Sequence, residues 1–190
     1  MKYSIIVCAK GDSQRLPGKN LKPLNKKPLI EYTFDFIERN FDTSLKNVWV
    51  VTDSSTIQLL ANKRGFGVLR EPERVKNNNH NMGLMRWIHS VLHADNYIML
   101  PPTSPIRARC IIDFIEHFLL SPYQSGLTVS SPTRGQYKAN GALFMWRSDM
   151  LGTNDIIGDS PRLYVDKYHY DINTQDDFDR AEKYLKENGD

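Results

Sequence analysis

Short runs of apolar, often β-branched residues recur along this chain, and each is followed by a longer stretch with apolar positions at helical spacing. The first run, residues 2–9 (KYSIIVCA), stops at a polar, glycine-bearing segment and reads as a buried strand feeding a loop. Residues 29–40 then set Leu29, Ile30, Phe34 and Ile37 on one helical face, with Pro28 suited to the first turn. A second strand at 48–51 (VWVV) precedes a helix that Asp53 or Ser54 caps and Gly65 ends. The alternation continues with a strand at 67–70, a helix at 82–93, a strand at 97–100 closed by Pro101-Pro102, and a helix at 109–120. Residues 127–130, 142–146 and 163–165 read as further strands, and 174–187 as a last helix with Asp177 three residues past a Thr174 cap.

Strands alternating with helices in this way predict βαβ units, hence an α/β fold with a mostly parallel sheet and helices on both faces. No repeat or linker breaks the 190 residues, so one domain spanning 1–190 is expected. In such sheets ligands bind beyond the carboxyl ends of the strands, which directs attention to the loops after the first, third and fourth strands.

Composition removes several classes. No apolar run approaches the roughly 20 residues that span a bilayer, and the opening residues carry no signal-type cleavage pattern, so no membrane association and a cytoplasmic location are expected. The two cysteines, Cys8 and Cys110, lack any paired metal-ligand spacing, which argues against a disulfide framework and a zinc site. The five histidines form no recognisable nucleophile arrangement, although His169 stands near Asp171. The 25 basic and 22 acidic residues give a net charge of +3, mild enough for an anionic small molecule or nucleic acid.

The richest segment is residues 10–24 (KGDSQRLPGKNLKPL), where Lys10, Arg15, Lys19 and Lys22 share one loop with Gly11, Ser13 and Gly18. Glycines let backbone N–H groups approach a ligand, and the cations neutralise phosphate charge, so the loop suits a polyphosphate. Its glycine spacing is neither that of a P-loop nor that of a dinucleotide fingerprint. Because the cations cluster in one phosphate-sized loop, nucleic acid is not an expected partner.

Near the other end, Asp171-Ile172-Asn173 precedes the last helix. In extended backbone, residues two apart point the same way, which sets the Asp171 and Asn173 oxygens together with Ile172 turned inward. Hard oxygens of this kind suit Mg²⁺. Asp176, Asp177 and Asp179 read as first-turn acids favoured by the helix dipole.

Taken in order, IIVCAKGDSQRLPGKNLKPL, KPLI, VWVVTDSS, MLPPTSPIR, NGALF and DINTQDDFDRAE resemble the motifs of the CMP-sialic acid synthetase (acylneuraminate cytidylyltransferase) family over nearly the whole chain. The resemblance implies a nucleotidyltransferase-type, Rossmann-like domain that joins CTP to an acidic sugar, sialic-acid or Kdo-like, with Mg²⁺, releasing pyrophosphate. It implies that Lys10, Gly11, Ser13, Arg15, Lys19 and Asn20 surround the triphosphate and ribose of CTP, and that Arg70 and Asn78, in the 77–81 asparagine run, meet the cytosine. Lys19, Arg15 and Asp171 become the expected catalytic residues, and Asp171 with Asn173 the metal ligands. Thr103, Ser104, Lys138 and Asn140 fall on the acceptor side. A homodimer is compatible with the resemblance.

The chain departs from the family pattern at several points. Lys10 replaces an arginine, Pro101 a glutamine and Asn173 an aspartate, Glu71 is inserted, and only residues 131–139 stand where sialate enzymes carry a longer excursion. The nucleotide half is therefore better represented than the acceptor half. This leaves open a nucleotidyltransferase for a smaller sugar or sugar phosphate, and a nucleotide-binding module without catalysis.

Overall fold

A computed structural model describes residues 2–13, 15–70, 72, 81–131, 136–152, 161–166 and 170–188. Strand β1 (Tyr3–Cys8) leads through the glycine-bearing loop to a small hairpin, β2 (Pro23–Leu24) and β3 (Lys27–Pro28), and then to helix α1 (Leu29–Asn40). Strand β4 (Val48–Val51), helix α2 (Ser55–Lys63) and strand β5 (Gly67–Leu69) follow. Helix α3 (Asn81–Leu92), strand β6 (Asn96–Met99) and helix α4 (Cys110–Leu120) come next. The chain continues through β7 (Ser125–Val129), β8 (Ala139–Arg147) and β9 (Arg162–Val165) to helix α5 (Gln175–Asn188).

Seven strands form one sheet in the order β5-β4-β1-β6-β8-β7-β9. β1 pairs in parallel with β4 and β6, β4 with β5, and β7 with β9. Strand β8 runs against both β6 and β7, so the sheet is mostly parallel with one reversed strand near its centre.

Alternation along the strands assigns the two faces. Ile5 and Val7 of β1 pack with Phe34 and Ile37 of α1, Ile57 of α2 and Phe114 and Phe118 of α4. Ile6 turns to the other face, where Tyr97 and Trp146 meet Met85 and Ile88 of α3. Helices thus cover both faces, as the sequence pattern predicts.

The helix ends follow local chemistry. Ser54 accepts from Ile57 N at 3.4 Å and caps α2, and Gly65 beyond its end takes φ +73°. The β2–β3 turn, absent from the sequence reading, places Asn25 and Lys26 at φ +46° and +68°, the left-handed pair that a two-residue hairpin needs.

A third apolar cluster fixes what lies between the two ends of the chain. Leu16 of the loop, Leu24 of the hairpin and Leu29 of α1 join Ile172, Phe178 and Leu185 of the α5 region. Burying a residue such as Ile172 stabilises by about 1.5–3 kcal/mol, against roughly 0.5–1.5 kcal/mol net for a typical hydrogen bond. Apolar packing, more than the polar contacts described next, therefore sets the distance between the cationic loop and the Asp171 segment.

Candidate functional site

The loop after β1 opens onto a cleft of about 590 Å³ at the carboxyl ends of β1, β4 and β6. Lys10, Ser13, Arg15, Lys19 and Asn20 line one side, and Pro101, Pro102 and Thr103 the other. The loop's start is held from β4: Gly11 N donates to Asp53 Oδ1 at 2.8 Å. A Cβ at Gly11 would come within 2.8 Å of Ser54 Cβ, so only glycine fits this approach without displacement. Asp53, weighed from sequence as a helix cap, is instead the loop's anchor, and Ser54 is the cap.

The middle of the loop turns over at Gly18, φ +64°, into a single turn of 3-10 helix, Lys19–Leu21. That turn buries Lys19 and Asn20 at 8% and 5% exposure. Asn20 Nδ2 donates to Lys10 O at 2.8 Å, while Asn20 Oδ1 is buried without a hydrogen-bond partner among the described residues.

Two cations then cross to the segment before α5. Lys19 Nζ donates to Ile172 O at 2.7 Å, and Arg15 Nη2 donates to Asn173 Oδ1 at 2.8 Å. Burial pushes the Lys19 ammonium below the usual lysine range and Arg15 adds to that, while Asp171 and Asp177 act in the opposite direction. Asn173 Nδ2 donates to Asp171 Oδ2 at 2.6 Å, and Ile172 is fully buried between them. The two side chains thus meet while Ile172 turns inward, but it is the Asn173 amide nitrogen that faces Asp171, the amide oxygen being turned to Arg15. The Asp171 carboxyl lies over Gly141, where φ is +74° and an added Cβ would stand 3.4 Å from Asp171 Cγ. Ile172 N donates to Thr103 O at 2.8 Å, so the loop after β6 supports the same segment.

Residues 158 and 153 positions apart in sequence are thereby brought into hydrogen-bond contact, Arg15 with Asn173 and Lys19 with Ile172. Other expected residues are differently placed. Ser104 is fully buried and its hydroxyl reaches Gly141 O at 3.4 Å. Asn140 is 5% exposed, its Oδ1 accepting from Thr128 Oγ1 at 2.6 Å and Ala142 N at 3.1 Å. Both shape the start of β8 from within, because a polar side chain at the join of two strands must satisfy backbone there. Lys138 and Arg70 are exposed, just before β8 and just after β5, and neither lines the cleft. Glu71, Asn78 and His169 lie outside the described residues.

Arg107, unassigned from sequence, turns out to organise the loop after β6. Its Nη2 donates to Pro101 O, Nη1 to Thr33 Oγ1 at 3.0 Å and Nε to Ala142 O at 3.3 Å. One guanidinium thus ties that loop to α1 and β8. Arginine followed by a helix start carries no periodic signal, so only the tertiary contact reveals the role.

A mostly parallel sheet, a cationic glycine-bearing loop after its first strand and a facing oxygen-rich segment define a nucleotidyltransferase-type α/β protein. Residues 4–106 match the cytidylyltransferase family, and the chain belongs to it. Among curated relatives, the 3-deoxy-manno-octulosonate cytidylyltransferase 2 of Hydrogenovibrio crunogenus is 38% identical over 72 residues, which is 38% of this chain and 28% of that protein. The N-acylneuraminate cytidylyltransferase of Streptococcus agalactiae serotype V is 28% identical over 109 residues, 56% of this chain and 26% of that protein. The aligned segments thus span less than a third of these relatives' length.

Similarity to solved structures extends further along the chain. A CMP:2-keto-3-deoxy-manno-octonic acid synthetase complexed with CTP superposes with a TM-score of 0.76 at 15% identity, covering 98% of this chain and 99% of that one. A cytidylyltransferase from Leptospira borgpetersenii gives 0.73 at 17% identity, covering 100% and 89%. At these identities the likeness establishes the fold. Among the described residues no helix is long and apolar enough to cross a membrane.

Proposed function

We propose that this chain transfers a cytidylyl group from CTP to an acidic sugar, giving a CMP-sugar and pyrophosphate. The observation that carries this reading is the convergence of Arg15 and Lys19, from the loop after β1, on Asn173 and Ile172 beside the Asp171 carboxylate. Cations for a triphosphate and an acid for a divalent ion meet at one edge of the cleft. The relatives named as cytidylyltransferases for octulosonate and neuraminate sugars support the choice of nucleotide and of an acidic acceptor.

In this reading the sugar hydroxyl oxygen attacks the α-phosphorus of CTP and gives up its proton to solvent, the bond from that phosphorus to the oxygen bridging it to the β-phosphorus breaks, and pyrophosphate leaves. Phosphoryl-group chemistry of this kind depends on positioning and charge neutralisation more than on covalent catalysis. Lys10, Ser13, Arg15 and Lys19 hold the triphosphate, Arg15 and Lys19 take up charge on the leaving pyrophosphate, and Gly11 seats the loop against Asp53 and Ser54. Asn20 Oδ1, a buried acceptor without a partner, suits a hydroxyl or amino donor of the nucleoside. Thr103, which lines the cleft, borders the acceptor.

The donor set fits Mg²⁺. The ion is commonly held by one or two carboxylates plus substrate phosphates and water, and Asp171 offers one carboxylate with the Asn173 amide beside it. Among the described residues no group of three or more acidic, histidine or cysteine side chains forms a fuller cage. When bound, the ion would neutralise charge on the phosphates. Asn173 bonds both Asp171 and Arg15 through its one amide.

A smaller acceptor is a second reading, favoured by the connection between Val129 of β7 and Ala139 of β8, which pair directly in the sheet. Pyrophosphate release measured with CTP, UTP, ATP and GTP against a panel of sugars tests both. Release confined to CTP with a carboxylate sugar is expected. Release only with a neutral sugar or sugar phosphate favours the second reading, and none with any pairing, despite CTP binding, leaves a nucleotide-binding module.

A further inference from the structure

Behind the cleft, across the 101–109 segment, a second cavity of about 660 Å³ lies between α1 and α5. Its walls carry four cations, Lys27, Arg39, Arg107 and Arg109, and one acid, Asp35. Asp35 is already matched twice, by Lys27 Nζ and by Arg64 Nη2, each at 2.9 Å. Burial alone would raise that carboxyl, but hydrogen bonds from Lys27 and Arg64 outweigh it and hold the group ionised below the usual range. Arg39 and Arg109 are exposed and have no carboxylate partner among the described residues.

Arg107 adds a guanidinium whose hydrogen bonds all go to neutral oxygens, those of Pro101, Thr33 and Ala142. N–H donors on its Nη1 and Nη2 are left over. Burial pushes this group below the usual arginine range, and Asp166 only partly offsets that. Two of the cations rest on aromatic faces, Lys27 Nζ at 3.7 Å from the Tyr32 ring centre and the Arg107 guanidinium at 5.5 Å from that of Phe36. They are therefore held before any ligand arrives.

A concave wall of net positive charge focuses positive potential, guanidinium forks match phosphate oxygens, and the volume lies in the range of small-ligand sites. A dianion answers two unpaired guanidinium charges, and a third that Asp166 offsets only in part, better than a monocarboxylate does. We propose that this rear pocket is a second anion site, one that binds a phosphate-bearing small molecule through Arg39, Arg107 and Arg109.

The site shares a wall with the front cleft. Pro101, Pro102 and Thr103 line the front, Pro105, Ile106, Arg107 and Arg109 the rear. Since Arg107 holds Pro101 O and Thr103 O holds Ile172 N, an anion on Arg107 braces the segment that supports Asp171. Front and rear ligands then alter each other's affinity by the same factor. Occupancy of the rear pocket is independent of the nucleotide reading, whereas this coupling rests on it.

Amide-resolved NMR titration of the full chain with inorganic phosphate, and separately with ribose 5-phosphate, tests the site. Saturable shifts at Arg39, Asn40 and Asn188 are expected, and an Arg39→Ala, Arg109→Ala double variant should weaken them about tenfold or more while front-cleft shifts at Gly11 and Ser13 persist. Tighter binding of ribose 5-phosphate identifies an organic phosphate as the occupant; equal binding identifies free phosphate. Shifts confined to the front cleft, rear shifts that never saturate, or rear shifts unchanged in the double variant overturn the proposal. If CTP leaves Gly11 and Ser13 unmoved while the rear titration saturates, the nucleotide reading and the coupling fail and the rear site stands.

Discussion

At Gly11 the backbone N–H sits on Asp53 Oδ1 and the missing side chain leaves room for Ser54. A Gly11→Ala variant must lift the loop away from β4, an overpacking cost of about 1–3 kcal/mol. CTP affinity measured by calorimetry should fall by roughly tenfold. If Asp171 holds the divalent ion as proposed, Asp171→Ala should abolish pyrophosphate release while CTP binding stays measurable; near-normal turnover would remove Asp171 from the mechanism. Asn173 joins Asp171 to Arg15 through one amide. Asn173→Asp adds a second carboxylate and should tighten Mg²⁺ binding in a direct metal titration, and an unchanged affinity would count against a metal-facing role. Gly11, Arg15 and Lys19 stand out in the sequence because glycine and cation density carries a local chemical meaning, and the structure places Arg15 and Lys19 on the cleft. Asp53, Arg107 and the Ile172 carbonyl were not, since each acts through a partner distant in sequence.

Elements were legible where their ends have their own chemistry. Thr174 and Asp177 announce α5, and the structure joins them reciprocally: Asp177 Oδ2 accepts from Asn173 N, Thr174 N and Thr174 Oγ1 at 3.0, 2.9 and 2.8 Å, and Asp177 N donates to Thr174 Oγ1 at 3.3 Å. Burial would raise the Asp177 carboxyl, but hydrogen bonds from Thr174 and Asn173, with Arg180 beside them, hold it at about 2 against the ordinary 3.8. A depressed carboxyl contributes stability above its unfolded pKa and loses it as pH falls from about 3.8 through about 2. Discounted for solvent screening, the contribution is about 1 kcal/mol. Asp177→Asn should therefore lower urea stability by about that much near neutral pH and by almost nothing near pH 2. Strand direction was less legible. The alternation in β8 assigns its faces, but an apolar run reads the same in both directions, and its reversal depends on β6 and β7 as neighbours.

Across the whole molecule, Arg107 ties the loop after β6 to α1 and β8. Arg107→Ala leaves the oxygens of Pro101, Thr33 and Ala142 without this donor and opens a cavity beneath the loop. Urea unfolding should report a loss of about 2–4 kcal/mol, and a loss within about 0.5 kcal/mol, the scale of a neutral surface change, would show that the guanidinium is not structural. The amino-acid sequence alone determined the α/β class, the alternation of elements and the cationic, glycine-bearing character of the loop after β1, because periodicity, capping and charge density are local properties. Tertiary structure decided that Arg15 and Lys19 reach the Asp171 segment, that Ser104 and Asn140 turn inward, and that a second cationic pocket stands behind the first. Those outcomes depend on long-range packing of Leu16 against Ile172 and on one reversed strand, and neither leaves a local signature in the residues that produce it.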